Sequence, residues 1–319
     1  MLLTIAFCTW NRSRLLRQTL EQMTRLSIPD GISFELLVVN NNSIDMTEEV
    51  VKSFCRSLPI RYLFEPEPGK SHACNCAVRH ARGEYIVWTD DDVLVDQNWL
   101  ASYAGAFVQY PDAVFFGGPI IPVFEGTPPA WLAKILPQIP SAFGKRDLGS
   151  ESFAFTSKGL LPWGANYAVR TREQLKHPFD PSLGPRGSKR IVAEEITMLS
   201  GMLDAGLSGR WVPDARVRHY IPKALQTTHF LRKFYSALGE EKGRRLHDET
   251  STKLFGAPRY LWKEAVTFEI KYHLHRYLCD PSIWIEYLKL SANAFGIISG
   301  CKYKQAVCQN VSISTEGSS

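Results

Sequence analysis

Apolar and polar residues alternate in blocks over the first ninety residues of the chain. Four apolar runs have the length of buried strands and lie at 2–8, 34–39, 60–64 and 85–89. The segments between them repeat their apolar residues at helical spacing, as in Leu16, Leu20 and Met23. Strands that alternate with helices predict an α/β fold with a largely parallel sheet flanked by helices.

The pattern loosens in the middle of the chain. Residues 119–140 are rich in proline and aromatic residues, and residues 145–158 have the polar character of a loop. A late strand is predicted at 211–217, and helical spacing dominates from His229 onward. The C-terminal third is therefore expected to be a helical extension.

Polar clusters follow the predicted strands at the point where each strand ends. Thr9–Arg12 follows the first strand, Asn40–Asp45 the second and Asp90–Asp92 the fourth. Ligands of open parallel sheets bind beyond the carboxyl ends of the strands. The first ninety residues therefore outline one site.

Three consecutive aspartates, Asp90, Asp91 and Asp92, form the last of these clusters. Their charges repel one another and aspartate has a low strand propensity, so the run indicates a bound cation. Carboxylate oxygens suit Mg²⁺ or Mn²⁺, and such an ion would stabilise the charge of a diphosphate leaving group. The alternative is a solvated turn in which Asp90 or Asp92 caps a helix that begins near Asp96.

The chain has a formal charge of +5, and the excess lies in its C-terminal part. Residues 221–319 hold 14 Lys and Arg against 9 Asp and Glu, whereas the preceding residues are balanced. A basic segment with Trp262 and Trp284 suits a peripheral position on an anionic membrane, and an ordinary helical appendage is the alternative. No apolar run reaches the roughly 18 to 20 residues that span a bilayer.

Seven cysteines at irregular spacings, with no charged and apolar leader before them, argue against a disulfide framework and against export. We expect a cytoplasmic protein, located at the inner face of the cell membrane if the basic segment binds lipid. No nucleic-acid partner is expected.

Five segments in combination resemble the family 2 glycosyltransferases, which have the nucleotide-sugar-binding GT-A fold. They are Thr4–Arg12 (TIAFCTWNR), Leu37–Asp45 (LVVNNNSID), Gly69–Asp92 (GKSHACNCAVRHARGEYIVWTDDD), Trp163–Arg170 (WGANYAVR) and Ala193–His219. The segments occur in the order that the family shows. The resemblance implies a Rossmann-like, mostly parallel sheet and a reaction that inverts the anomeric centre of the sugar.

The resemblance also implies a donor site. Thr9 and Asn11 would lie against the nucleotide, and Asp91 would contact the ribose or the metal. The residues expected to bind the nucleotide sugar are Thr9, Asn11, Arg12, Asn40, Asn42, Lys70, Asn75, Asp90 and Asp91. Asn40 stands where the family commonly has an aspartate that contacts uracil, so the base of the donor stays open.

Metal binding and catalysis are implied for further residues. Asp92 would be the principal metal ligand, with Asp91 and His219 beside it, and a structural role is the alternative for His219. Inverting transfer needs a base that takes the proton of the acceptor hydroxyl, and Glu195 stands at the family's base position. Glu194 stays open as the base, and two acids in a first helical turn also stabilise a helix without any catalytic role.

The acceptor side is implied for Trp163, Gly164, Ala165 and Asn166, where glycine lets the backbone approach a sugar and an aromatic ring stacks on it. A tight turn beside a core tryptophan is the alternative. Arg232 and Lys233 stand where related enzymes contact the leaving diphosphate, and a solvated helix face explains them equally well.

The sequence therefore predicts an inverting, metal-dependent transferase that moves a sugar from a nucleoside diphosphate to a hydroxyl of a glycan or lipid-linked acceptor, in polysaccharide or cell-surface glycan biosynthesis. The predicted domains are 1–220, with a nucleotide-sugar half at 1–118 and an acceptor half at 119–220, and the helical extension at 221–319. A nucleotidyltransferase is one alternative, although the Cys8–Arg12 loop lacks the glycines that grip a triphosphate. The other is a catalytically silent nucleotide-sugar-binding protein of a membrane glycan-assembly complex, which Asn40 and Glu195 keep open.

Overall fold

The computed structural model describes residues 1–184, 194–246 and 251–316, with side chains up to residue 302. The strands are β1 (Leu2–Thr9), β2 (Ser33–Asn40), β3 (Ile60–Phe64), β4 (Tyr85–Trp88), β5 (Val93–Val95), β6 (Phe115–Gly117), β7 (Ile120–Phe124), β8 (Tyr167–Arg170), β9 (Gly209–Trp211), β10 (Val217–Ile221), β11 (Lys253–Leu254) and β12 (Ala257–Pro258). The helices are α1 (Ser13–Met23), α2 (Thr47–Phe54), α3 (Lys70–His80), α4 (Trp99–Gln109), α5 (Ala130–Ile135), α6 (Thr171–Gln174), α7 (Glu194–Asp204), α8 (Thr228–Arg245), α9 (Arg259–His275) and α10 (Pro281–Glu316). Ala193 is the first residue of Ala193–His219, the last of the five segments that resemble the family, and it lies outside the described residues.

The main sheet has the strand order β3-β2-β1-β4-β8-β6-β9. β1 pairs in parallel with β2 and β4, and β2 pairs in parallel with β3, so the predicted α/β architecture is confirmed. Ile5 and Phe7 pack into one buried cluster together with Leu16 of α1, whereas Ala6 packs into a second cluster together with Ala73 of α3. Strands that are buried on both faces give continuous apolar runs, which is why the sequence located them.

Two parts of the sheet differ from the prediction. β8 pairs antiparallel with both β4 and β6. The strand expected at 211–217 is interrupted: Trp211 ends β9, Val217 begins β10, and the residues between them form a turn in which Arg216 N donates to Asp214 O over 2.9 Å. Pro213 has no amide hydrogen and Asp214 favours turns, so this segment leaves the sheet although Val212 and Val217 at its ends are buried.

A smaller sheet follows the aspartate run. In it β5 pairs antiparallel with β10, and β10 pairs in parallel with β7. The register places His219 opposite Val93, and Tyr220 N donates to Asp92 O over 2.9 Å. The next helix begins only at Trp99, after β5, so the alternative in which an aspartate of the run caps that helix is wrong.

The chain divides into two compact units. The first unit comprises residues 1–125 and 143–221, and the second comprises residues 126–142 and 222–319. The division at residue 221 lies one residue from the predicted domain boundary. Residues 126–142, predicted as part of the first domain, belong instead to the second unit. Within that unit the ring centroids of Trp131 and Trp284 are 5.6 Å apart.

The second unit is built around α8, α9 and α10, in keeping with the predicted helical extension. α8 and α10 approach so closely that a Cβ on Gly239 would lie 2.1 Å from Asn293 O, and one on Gly296 would lie 2.1 Å from Ser236 O. Glycine is therefore required at both crossing points. Among the described residues, no helix combines the length and the apolar character needed to cross a bilayer.

Candidate active site

The loops after β1 and β2 are tied together beyond the carboxyl ends of these strands. Asn11 N donates to Ser43 Oγ over 2.9 Å, and Ile44 N donates to Asn11 Oδ1 over 2.8 Å. Asn11 and Asn42 both have a positive φ, of 52° and 60°, a conformation that asparagine tolerates better than most residues. The asparagine-rich clusters therefore build two adjoining turns at the predicted edge of the sheet.

Arg12, at the end of the first loop, binds two carboxylates of the aspartate run. Its Nη1 lies 2.9 Å from Asp91 Oδ1 and 2.9 Å from Asp92 Oδ2. Burial raises the pKa of Asp91 to about 6; Arg12 opposes this shift and the charge of Asp92 adds to it. Arg12 therefore offsets part of the negative charge of these two aspartates.

His219 approaches the same carboxylates from β10. Its Nε2 lies 3.5 Å from Asp92 Oδ1, and its Nδ1 lies 3.1 Å from Phe143 O. Burial would lower the pKa of His219, but Asp92 outweighs it and raises the pKa above its ordinary value. Burial would likewise raise the pKa of Asp92, whereas His219 and then Arg12 hold it below its usual range.

Lys70 links the aspartate run to the glutamate pair. Its Nζ lies 2.9 Å from Asp90 Oδ1 and 3.5 Å from Glu194 Oε1. Burial alone would lower the pKa of Lys70, but Asp90 and then Glu194 keep it well above its usual value. One partly buried cation thus lies between the acids that follow β4 and those that begin α7.

Asn41 fixes the loop from which Lys70 projects. Its amide nitrogen donates to Glu65 O over 3.0 Å and to Glu67 O over 2.7 Å, and its Oδ1 accepts from Gly69 N over 2.8 Å. Gly69 has a φ of 137°, which favours glycine, and α3 begins at the next residue. The sequence predicts no role for this buried asparagine, although it predicts donor contacts for Asn40 and Asn42 on either side.

Glu195 faces the segment that the sequence assigned to the acceptor. Gly164 N donates to Glu195 Oε1 over 3.1 Å. A Cβ on Gly164 would lie 3.4 Å from the Glu195 carboxyl, so the two residues are in close contact. Burial raises the pKa of Glu195 to about 7; Glu194 adds to this shift and Lys70 opposes it.

The antiparallel pairing of β8 with β4 explains this meeting. Trp88 at the end of β4 lies opposite Tyr167 at the start of β8, so the residues before β8 adjoin the residues after β4. Thr89 Oγ1 accordingly donates to Ala165 O over 3.1 Å. One cavity of the first unit is lined by Lys70, Thr89, Asp90, Gly164, Glu194 and Glu195.

Trp163, predicted to stack on an acceptor sugar, is partly buried, and the guanidinium of Arg146 lies over its ring. Arg146 Cζ lies 5.0 Å from the centroid of its ring. The face of the indole that meets Arg146 is therefore engaged in a cation–π contact within the protein. Stacking on a sugar stays a prediction for this residue.

Two asparagines predicted to bind the donor have partners within the protein. Asn40 Nδ2 donates to Tyr62 Oη over 2.8 Å, and its Oδ1 accepts from Ser43 N over 2.9 Å. Asn75 exchanges two hydrogen bonds with the backbone of Phe179, at 2.8 and 2.9 Å. Asn40 thus shapes the turn after β2, and Asn75 fixes the segment that follows α6.

Asn166, predicted to contact the acceptor, has no solvent exposure. Its Oδ1 accepts from Trp99 Nε1 and Tyr103 Oη, each over 2.8 Å, and its amide nitrogen donates to Pro119 O over 2.9 Å and Ala215 O over 2.6 Å. All four of its hydrogen-bonding positions are occupied. The structure thus gives Asn166 a role in joining four segments of the core in place of the predicted contact with a sugar.

Replacing Asn166 with alanine should therefore destabilise the protein. We expect Asn166→Ala to lower the free energy of unfolding by about 3 kcal/mol, because four buried polar groups lose their partner. Urea denaturation measures the change. The control is Asn98→Ala, at the exposed asparagine that precedes α4, the helix that carries Trp99 and Tyr103. A stable Asn166→Ala protein with a raised KM for acceptor would contradict the structural role.

Arg232 and Lys233, predicted to contact the diphosphate, lie on α8 in the second unit. Arg232 Nη1 donates to Glu269 Oε2 over 2.7 Å, and its Cζ lies 5.0 Å from the centroid of the Tyr272 ring. Lys233 is exposed. The contact of either residue with a diphosphate stays a prediction.

The predicted metal ligands Asp91, Asp92 and His219 thus lie together in the first unit. Within the part of the chain that the structure describes, however, no three His, Cys, Asp or Glu side chains are arranged closely enough to hold an ion. In this conformation Arg12 is the cation between the two aspartates. Metal binding by this set stays a prediction.

Comparison with known proteins identifies the kind of enzyme to which this geometry belongs. The model of glycosyl transferase family 2 matches residues 4–160. The match covers 157 of the 319 residues, just under half of the chain, and lies where the sequence resembles this family. The succinoglycan biosynthesis protein ExoM of Rhizobium meliloti (strain 1021) is 24% identical to this chain over 247 residues, which cover 77% of this chain and 75% of that protein. The chain is therefore a glycosyltransferase, as predicted, rather than a nucleotidyltransferase.

Two solved structures confirm the fold of this glycosyltransferase. The mannosyltransferase PcManGT from Pyrobaculum calidifontis, in complex with GDP-Man and Mn²⁺, matches with a TM-score of 0.54 and 18% identity, over 99% of this chain and 79% of that one. Residues 1–349 of TarS from S. aureus, in complex with UDP-GlcNAc, match with a TM-score of 0.52 and 14% identity, over 96% of this chain and 92% of that one. Both support the predicted GT-A fold.

Proposed function

We propose that this glycosyltransferase moves a sugar, with inversion, from a nucleoside diphosphate to a hydroxyl of a glycan or lipid-linked acceptor. We place the reaction in the synthesis of a polysaccharide or another cell-surface glycan, which the name of the succinoglycan biosynthesis relative supports. The bound GDP-Man and UDP-GlcNAc of the two structural neighbours support a nucleotide-sugar donor.

The observation that supports the mechanism best is the position of Glu195. Its carboxyl lines one cavity together with Asp90 and Lys70, and it accepts a hydrogen bond from Gly164 N. A base for inverting transfer must lie across the reacting carbon from the leaving phosphate. The aspartate run and Glu195 supply two acidic groups with separate tasks in one site.

In the proposed reaction the acceptor oxygen forms a bond to the anomeric carbon while the bond from that carbon to the diphosphate oxygen breaks. The acceptor hydroxyl loses its proton to the Glu195 carboxylate. A pKa of about 7 suits this task, because a base is most effective when its pKa lies near the working pH. The hydrogen bond from Gly164 N orients the carboxylate, and Lys70 offsets the charge of the neighbouring Glu194.

The donor set of the aspartate run fits a divalent metal. Asp91 and Asp92 both turn a carboxylate oxygen toward a single cationic nitrogen, Arg12 Nη1, and His219 Nε2 lies 3.5 Å from Asp92. Carboxylate and imidazole ligands suit Mn²⁺, and carboxylates suit Mg²⁺. Asp92, Asp91 and His219 would hold the ion, which when bound stabilises the negative charge of the departing diphosphate.

We assign the nucleotide to the two turns that Asn11 and Asn42 form, with Thr9, Arg12 and Asp91 beside them. Arg12 is the residue in this group with a charge that suits a phosphate. Asn40 is held by Tyr62 and Ser43 and has no carboxylate to offer a uracil ring. Guanosine and uridine donors are therefore both candidates.

A panel of nucleotide sugars tests the proposed function. Purified protein is incubated with GDP- and UDP-linked sugars in the presence of Mn²⁺, Mg²⁺ or a chelator, and release of the nucleoside diphosphate is measured. We expect release from one donor class, and loss of that release in the chelator. Failure of every donor to turn over with either metal, while the protein stays folded, would overturn the proposal.

A further inference from the structure

The outward face of α9 carries a row of exposed apolar side chains over the C-terminal half of the helix. Val266, Ile270 and Leu274 follow one another at intervals of four residues, and their exposed fractions are 48%, 55% and 60%. The strip continues beyond the helix to Tyr277 and Leu278, which are 80% and 85% exposed. Residues four apart share one face of a helix, so these side chains form a single exposed strip.

The core of the second unit does not use this strip. The opposite face of α9 supplies Leu261 and Ala265 to a buried cluster together with Ala294 and Ile298 of α10. Tyr272, also on that inner face, is buried beside Trp284. A contiguous exposed apolar strip on a helix that is already packed on its other side is typical of an interaction surface.

Basic side chains accompany the apolar ones. The exposed Lys and Arg residues at 259–278 are Arg259, Lys263, Lys271 and Arg276, and within this described segment Glu264 is the one exposed acid. At about 100° per residue, Lys263 has the same direction as Ile270 and Leu274 and lies one turn before Val266, at the N-terminal end of the strip. The charge of the face is therefore complementary to an anionic partner.

We propose that the exposed face of α9, from Arg259 to Leu278, docks on the surface of an anionic lipid bilayer. The apolar side chains would enter the boundary between headgroups and acyl chains, and Arg259, Lys263 and Lys271 would contact the phosphates above it. An apolar strip with basic residues on it and beside it fits this layered partner, because Lys263 shares the direction of the apolar side chains and Lys271 flanks them. The proposal concerns the second unit and does not depend on the reaction of the first.

Co-sedimentation of the full chain with vesicles tests the proposal. We expect the protein to pellet with an equal mixture of phosphatidylcholine and phosphatidylglycerol, to remain in the supernatant with phosphatidylcholine alone, and to be released as salt is raised. The paired substitutions Ile270→Ser with Leu274→Ser, and Lys263→Glu with Lys271→Glu, should each weaken vesicle binding about tenfold or more.

A matched variant separates this surface from general effects. Val108→Ser with Arg25→Glu changes one exposed apolar and one exposed basic residue in the first unit and should leave vesicle binding unchanged. The thermal midpoint of each variant shows whether it is folded. Equal binding to neutral and anionic vesicles, or unchanged binding by both α9 variants, would overturn the proposal. The proposal would also be overturned if the protein binds no vesicles and light scattering shows a dimer instead. In that case the paired Ile270→Ser and Leu274→Ser substitutions would dissociate the dimer.

Discussion

Replacing Glu195 with glutamine should lower kcat about a thousandfold, while the KM for the donor changes little. Glutamine keeps the oxygen that accepts from Gly164 N, so the local structure is preserved, but an amide cannot take a proton from the acceptor hydroxyl. General bases contribute roughly a hundredfold to ten-thousandfold to enzymatic rates. Steady-state kinetics with the donor that the panel identifies measure the loss.

The pH profile and the neighbouring glutamate serve as controls for this substitution. Because burial raises the pKa of Glu195 to about 7 and the base acts when deprotonated, kcat/KM of the wild type should fall about tenfold per pH unit below that value. The Glu195→Gln protein should lack this acidic limb. Glu194→Gln should be far milder, since Glu194 is buried beside Lys70. If Glu194→Gln causes the thousandfold loss and Glu195→Gln does not, Glu194 is the base.

Replacing Asp92 with asparagine should reduce transfer about a hundredfold or more and abolish its dependence on added metal. Asp92 is the carboxylate that both Arg12 and His219 approach, so its loss removes the charge at the centre of the proposed metal site. An amide binds hard divalent cations more weakly than a carboxylate does. Titration of the rate with Mn²⁺ and with Mg²⁺ measures the effect.

Asp90→Asn is the matched control for that substitution. Asp90 pairs with Lys70, whereas the two other aspartates of the run pair with Arg12. We therefore expect this variant to retain its metal dependence and to stay within about tenfold of the wild-type rate. Equal metal dependence in the wild type and the Asp92→Asn protein would show that the metal site lies elsewhere.

The fold could be predicted from sequence wherever burial and strand length act together. β1 and β2 lie within one residue of their predicted ends, because both are short, largely apolar runs that are buried in the sheet. The antiparallel direction of β8 could not be predicted, since a strand's own residues do not encode the direction of its neighbour. The turn at Pro213 was missed for a different reason: valines in the surrounding segment are buried on either side of it.

The site shows the same division between local and long-range information. The position of Asp92 after a buried strand and that of Glu195 at the start of a helix both follow from neighbouring residues. The bridge that Lys70 makes from Asp90 to Glu194 joins residues more than a hundred positions apart, which no local pattern reveals. In sequence Asn166 resembles an exposed polar residue. Its partners Trp99 and Tyr103 lie on α4, more than sixty positions earlier in the chain.

The configuration of the first product tests the central claim most directly. The purified protein is given its donor with water as the acceptor, and proton NMR follows the anomeric signal of the released sugar before mutarotation. An inverting reaction through Glu195 predicts that an α-linked donor first yields the β-sugar, and that Glu195→Gln forms it far more slowly. Initial release of the α-sugar, or an unchanged rate in the variant, would contradict the account.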